Sequence, residues 1–560
     1  MSDTPQGSGG MSFAAATEAL LSPGGMFEME KADVLGEELS VFKNRSQSLR
    51  ALLEMSAGHG DKEYYVFDTG ERCTYTQNIE RVAAVAASLA DRGIGKGDRV
   101  AVLSANNPEW ITTYWALVSL GAVVVAMNGW WAADEIRFGL EKSDPKLLVA
   151  DRRRLDRLEG TDPGVPTIVI GETWDELLDN PTTELPSVEL VEDDPAVLLF
   201  TSGTTGRPKG ALLSHRNLLG FVMTAFVLGA RTRMVDPTPR GMEGGATLVP
   251  FPLFHVSGMF SAATTQLAAG GRTIWTTGRF DAGKVIELSK AEGISSWSGS
   301  ATHIFRLLDH PDLADFDLTQ LGAVSIGGSA TTPELIRATE ERLPHLAGTF
   351  GSGYGSTETG SLISHAMNYM LVADPTSVGP PLPGVDVKIV DDDGNDVGEG
   401  VDGNIVVRSA LVMLGYWNND EANAETFLPG RWVKTGDVGQ LRDGELRMAS
   451  RKRDLIIRGG ENVYPAEIEN RLEEHPEVVE VAVFGVDHRE LGQEVKAVVV
   501  LTDGATVAPD ALQEFVAEKL AYFKVPAYVE IRSEPMPRNA TGKIMKHVLS
   551  GDAENTFVPE

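Results

Sequence analysis

Leu198-Leu-Phe-Thr-Ser-Gly-Thr-Thr-Gly-Arg-Pro-Lys-Gly210 is the stretch on which the reading of this chain turns. A hydrophobic strand, Leu198 to Phe200, runs into ten residues, Thr201 to Gly210, that hold three glycines, four hydroxyls and two cations. Glycines let backbone N–H groups approach a phosphate, hydroxyls add donors, and Arg207 and Lys209 offset negative charge. The Walker spacing GxxxxGK[ST] is absent, because Arg207 and Pro208 follow Gly206. The stretch therefore reads as a phosphate loop of another kind, although a Gly/Thr surface turn would share its composition.

Upstream of this loop, strands alternate with helices. Ile79, Val82, Ala86 and Leu89 recur at helical spacing with Gly93 as the stop. Arg99 to Leu103 reads as a strand, Pro108 to Leu120 as a helix, and Ala122 to Ala126 as a β-branched strand. The same alternation returns around Ala246 to Val249, Thr273 to Thr276 and Gly322 to Ile326. Such a pattern implies a largely parallel sheet covered on both faces. After Gly379 the texture changes to short strands and turns, with Asp443-Gly444 a hairpin signal. Beyond Arg453, helices from Pro465 and Pro509 alternate with strands at Val479 to Phe484, Val495 to Leu501 and Tyr528 to Ile531. The predicted fold is α/β: a large N-terminal domain of layered sheets with a β-rich subdomain (41–449), and a small, mobile α+β C-terminal domain (450–560). Residues 1–40 are expected to form a loose tail with a short helix near Phe13 to Leu21.

Composition narrows the function classes. A net charge of −31 disfavours nucleic acid and anionic lipid as partners. No run of eighteen apolar residues occurs, which argues against a membrane span. Residues 1–30 lack Lys and Arg, the basic segment of a secretory signal, and the one cysteine, Cys73, suits a reducing cytoplasm and a packing role.

Further segments follow the phosphate loop in an order that resembles the adenylate-forming superfamily of acyl-CoA synthetases, luciferases and adenylation domains. They are Pro252-Leu-Phe-His255, Tyr354-Gly-Ser-Thr-Glu358, Trp432-Val-Lys-Thr-Gly-Asp437, Arg451 to Pro465 and Pro537-Arg-Asn-Ala-Thr-Gly-Lys543. The resemblance spans about Tyr64 to Val548. It implies a fatty-acyl-CoA-ligase-like enzyme that uses ATP, Mg²⁺ and coenzyme A on a carboxylic acid, a homodimer being left open.

The same resemblance assigns roles. Lys543 is implied at the point where carboxylate meets α-phosphate, two anions that need a compact positive charge. Glu358 and Thr204 are implied beside Mg²⁺, a hard cation that takes oxygen ligands; Ser356-Thr-Glu would also suit a helix N-terminus. Thr201, Ser202, Gly203, Thr205, Gly206 and Lys209 are implied around phosphate, to which Thr357 also offers a hydroxyl, with Tyr354 against adenine and Gly355 next to it. Gly328, Ser329 and Ala330 are implied between adenine and acyl group, Asp437 at the ribose, and Arg451 at the ribose or the phosphates. Asp437 can accept both ribose hydroxyls, though turn formation would also favour it. Gly459 and Gly460 are implied along the pantetheine path.

Three departures matter. Arg453 stands at the hinge where relatives carry Asp or Lys, Arg458 precedes the paired glycines where Ser is common, and Ala301 replaces a common proline. Small Ser300 and Ala301, with Met259 in place of a tryptophan gate, imply a roomy acyl pocket bounded by His255 and Gly328, with His255 at its mouth able to respond to pH. A large apolar acid is expected, a medium or long fatty acid or a polycyclic one. The alternatives are an adenylating enzyme that runs one half-reaction or loads a carrier protein, and a non-catalytic acyl or nucleotide sensor.

Overall fold

A computed structural model describes residues 11–201, 208–236, 245–278, 280–326, 331–451, 454–458, 461–539 and 542–551. Among these residues the strands fall into five sheets. The first large sheet runs in the order Gly415–Tyr416, Lys209–Ser214, Pro195–Thr201, Val123–Ala126, Arg99–Leu103, Leu147–Asp151, Thr167–Ile170. It is parallel from Pro195–Thr201 outward, while Lys209–Ser214 returns antiparallel on Pro195–Thr201. The phosphate loop therefore spans a hairpin instead of leading straight into a helix.

The second large sheet runs Ser364–Met367, Gly351–Tyr354, Ala323–Ile326, Ile294–Gly299, Ala246–Val249, Arg272–Trp275, Glu63–Phe67, Arg72–Thr74. Only its two outermost strands are antiparallel to their neighbours. Between the large sheets lie the helices Tyr75–Asp91 and Pro108–Leu120. The former starts on a reciprocal cap, Thr74 accepting from the Gln77 N–H while the Gln77 side chain accepts from the Thr74 N–H. The latter starts on the Asn107 side chain with Pro108 in its first turn. Trp110, Tyr114 and Trp115 are fully buried in one core with Val100 and Val197 of one sheet and Val249 and Trp275 of the other. This core fuses the sheets into one layered body.

The third sheet, Ser377–Gly379, Glu445–Arg451, Trp432–Arg442, Gly403–Ser409, Val385–Val390, is antiparallel and carries the turn at Asp443-Gly444. Its strand Glu445–Arg451 runs through the expected 449/450 boundary. The small C-terminal domain follows, with Gly492–Leu501 paired to Val478–His488 and Tyr528–Arg532, packed under helices Pro465–Glu473 and Pro509–Ala517.

The expected loose tail is corrected over much of its length. Helix Phe13–Leu21 forms, and Met29–Val34 and Glu37–Phe42 make a regular hairpin. Alternation lets Val34, Leu39 and Val41 bury one face beside Ala410 while Phe42 packs from the other with Phe27, Met223 and Val227, so the segment adheres to the body. One further helix, His215–Val235, is long and apolar enough by length and composition to cross a membrane. Every residue from His215 to Thr224 is buried within the protein.

Candidate active site

Val249, Gly299, Ile326 and Tyr354 end four neighbouring strands of the second large sheet, the first three elements parallel throughout and the fourth joined at Ile326–Ser352. The segments that follow them leave from one end of the sheet, the carboxyl end, where open α/β sheets place ligands. The sequence motifs Pro252–His255, Gly299–Thr302 and Tyr354–Glu358 all sit on these exits. Physical topology thus gathers what the sequence separates by a hundred residues.

At the Tyr354–Glu358 exit, the Tyr354 hydroxyl donates to Asp437 Oδ2 at 2.6 Å. Asp437 lies on the strand Trp432–Arg442 and pairs in register with Arg451 on the adjacent strand. Its N–H donates to Thr435 Oγ1 at 3.1 Å, which fixes the backbone there. Tyr354 offers a ring while its hydroxyl orients the carboxylate, so two expected nucleotide residues form one unit. A Cβ at Gly355 would collide with the Ser361 carbonyl, so only glycine permits the chain to fold back there.

Glu358 stands in a turn, not at the helix N-terminus that Ser356-Thr-Glu suggested, because Ser356 N–H donates to Thr359 Oγ1 at 2.9 Å and Gly360 N–H to the Thr357 carbonyl at 3.1 Å. The Tyr416 hydroxyl donates to Glu358 Oε1 at 2.9 Å. Among the described residues Tyr416 alone reaches this carboxylate by a hydrogen bond, which suits one carboxylate ligand to a largely phosphate-held Mg²⁺. Burial, and then the Glu358 charge, raise the Tyr416 pKa and keep the phenol a donor. Lys209 Nζ lies 5.2 Å from the Tyr416 ring centroid, and Lys209 pairs across the hairpin with Thr201. Tyr416 therefore bridges the phosphate hairpin to the Glu358 turn. No motif singled it out; Glu358 and Lys209 lie 58 positions or more away from it, and its strand of two residues leaves no period to read.

At the Pro252–His255 exit, Phe254 and His255 pack with ring centroids 4.8 Å apart, ahead of the π-helical segment Ser257–Thr264 that buries Met259 completely. Burial pushes the His255 imidazole down to about 4, so it is neutral around pH 7. This corrects the expectation of a pH-responsive mouth. Ser300 is buried as the N-cap of helix Ala301–Leu308. Against it lies the turn that carries Lys543: Gly542 N–H donates to the Asn539 carbonyl, and Lys543 N–H to Asn539 Oδ1, both at 2.9 Å. His303, which no motif indicated, stacks on Phe280 beside the same turn.

Ser202, Gly203, Thr204, Thr205, Gly206, Gly328, Ser329, Ala330, Arg453, Gly459 and Gly460 lie outside the described residues, as does the Arg451 side chain. Arg458, the departure before the paired glycines, is held by the Glu494 carboxylate.

The AMP-binding enzyme family model matches residues 53–417, and the AMP-binding enzyme C-terminal domain matches residues 467–543. Feruloyl-CoA synthase of Amycolatopsis sp is 33% identical over 479 residues, covering 85% of this chain and 93% of that protein. ATP-bound MatB from Rhodopseudomonas palustris has a TM-score of 0.76 at 29% identity, covering 90% of this chain and 100% of that one. The amide bond synthetase McbA from Marinactinospora thermotolerans reaches 0.77 at 29% identity, covering 90% and 99%.

Proposed function

The chain belongs to the AMP-binding enzymes, and on that premise we propose that it is an ATP-dependent carboxylic acid–CoA ligase acting through an acyl-AMP intermediate. The observation that carries the reading is the seat of the Lys543 turn against Ser300, beside the strand ends that bear the nucleotide residues. Lys543 there meets both anions of the first step, in which a carboxylate oxygen attacks the α-phosphorus and the bond to the β-phosphate breaks. Pyrophosphate leaves. The protein's task is charge and alignment. Asp437 and Tyr354 hold the nucleoside, and Lys209 faces the phosphates. Mg²⁺, taken by Glu358 and Thr204, would neutralise charge on phosphate oxygens. In the second step the thiol of coenzyme A, its proton released, attacks the acyl carbonyl, and AMP departs. Gly459 and Gly460 are assigned to the pantetheine arm from the sequence.

The acid we assign is large and apolar, supported by the small Ser300 and Ala301 and by the feruloyl-CoA relative. A second reading has a specific support: McbA, of the same architecture, is an amide bond synthetase, so an amine could take the place of the thiol. The test is ATP–pyrophosphate exchange over a panel of acids, followed by product analysis with coenzyme A or amines supplied. Acid-dependent exchange with a CoA thioester supports the ligase. Exchange that yields only an amide, or none with any acid, overturns it.

A further inference from the structure

His303 occupies the first turn of helix Ala301–Leu308. Its ring stacks on Phe280, with centroids 4.1 Å apart and planes 12° from parallel, and Phe251 lies 6.5 Å away. Ser300 N–H donates to His303 Nδ1 and His303 N–H donates to Ser300 Oγ, each at 3.4 Å, so residue and cap fix one another. In a neutral ring an accepting Nδ1 leaves the proton on Nε2. That nitrogen faces the small domain: a Cβ built at Gly542 would stand 3.7 Å from it and 2.9 Å from Ser300 Oγ. Gly542 has φ +81°, so a side chain there would be both strained and crowded.

Arg538 ties the turn to its own domain. Arg538 Nη1 donates to the Gly542 carbonyl at 2.7 Å, and Arg538 Nη2 pairs with Glu480 at 3.1 Å. The charges acting on His303 are cations, Arg306 on its own helix and Arg538 across the interface; with burial the larger cause, the imidazole is pushed down to about 4 and stays uncharged. An uncharged ring can accept the approach of Arg538 and Lys543, which an imidazolium would repel.

We propose that His303 is a positioning residue for acyl-adenylate formation: its Nε2 edge and the Ser300 hydroxyl form the seat on the large domain that receives Gly542 and thereby sets Lys543 at the reacting anions. The proposal rests on the ligase reading for its reaction but not for its contact. In this assignment His303 acts through Lys543.

Two variants separate positioning from packing. His303→Phe keeps a flat ring on Phe280 and removes both nitrogens, while His303→Gln restores a donor near the Nε2 position. With an acid that the wild type activates, His303→Phe should slow ATP–pyrophosphate exchange about tenfold or more, and leave CoA capture of supplied acyl-AMP within about twofold. His303→Gln should recover most of the loss. Parallel loss in both half-reactions, or no loss in either, overturns the assignment. Hydrogen exchange on the full chain without substrates gives a second readout, in which the peptide containing Asn539 to Lys543 should exchange faster in His303→Phe than in wild type. Equal exchange overturns the seat whatever acid or thiol the enzyme uses. Wild-type exchange of pyrophosphate without thioester would instead reject the ligase reading and leave His303 in place.

Discussion

Two side chains assigned from the sequence define sharp expectations. Lys543→Ala should abolish acyl-AMP formation and leave CoA capture of supplied acyl-AMP largely intact, because its charge is needed only where carboxylate meets phosphate. Measuring the half-reactions separately checks this, and equal loss in both would reject the role. Asp437→Ala should raise the KM for ATP far more than that for the acid. Losing a charge-assisted hydrogen bond costs ~1.5–3 kcal/mol, or about ten- to a hundredfold in affinity. Since Tyr354 donates to Asp437, Tyr354→Phe should produce a weaker version of the same selective change. Both assignments could be drawn from the sequence because each residue stands inside a contiguous motif. Tyr416 and His303 were not, since one bridges a hairpin to a remote turn and the other meets a turn more than two hundred residues later. Contacts of that kind leave no local period in the chain.

Among elements, the sequence reading was sharpest where an apolar period and a punctuating residue coincide. Arg99–Leu103, Pro108–Leu120 and Ala246–Val249 form at the expected bounds. The hairpin of Met29–Phe42 escaped notice because its charged edge residues mask a short alternation. The π-helical stretch Ser257–Thr264 escaped because its widened bonding depends on packing, with Thr264 and Thr265 hydroxyls donating five residues back to Met259 and Phe260 carbonyls. This segment and the start of helix Ala301–Leu308 are the elements assigned to the acyl pocket, so bulk added there should alter substrate size. For the parent enzyme, kcat/KM should rise along a series of linear acids by up to ~0.8 kcal/mol per methylene until the pocket fills. Ala301→Trp should lower kcat/KM on large acids by about tenfold or more and spare small ones. Acetate as the best substrate, or an indifferent Ala301→Trp, would displace the pocket from this site.

At the scale of the whole molecule, the small domain rests on the large one through titratable groups as well as through Gly542. Glu473 closes helix Pro465–Glu473 and shares a hydrogen bond with Thr332, the N-cap of helix Pro333–Arg342 in the large domain. Burial, followed by the neighbouring Glu469 and Glu334 carboxylates, pushes it up to about 7. A raised carboxyl binds its proton more tightly in the docked arrangement, so this contribution is complete in the ordinary carboxyl range and is lost as pH rises through about 7. Docking should therefore weaken as pH rises from about 4.5 to about 7 and level off above that, and Glu473→Gln should flatten the dependence. Cleavage by a protease near residues 452–453, followed across that range, measures it; a wild-type profile as flat as that of Glu473→Gln would remove Glu473 from the interface balance.

The strand order described above also imposes a timetable on synthesis. Glu63–Phe67 emerges early, yet its parallel neighbour Arg272–Trp275 follows about 200 residues later, and Lys209–Ser214 waits equally long for Gly415–Tyr416. At about 5–20 residues per second, each edge stands uncovered on the ribosome for roughly 10–40 s. During that interval the nascent chain presents unpaired backbone and the apolar helix His215–Val235 without its full surroundings. Yield in a cell should thus depend on elongation speed and on holding factors far more than the finished, well-buried body would suggest.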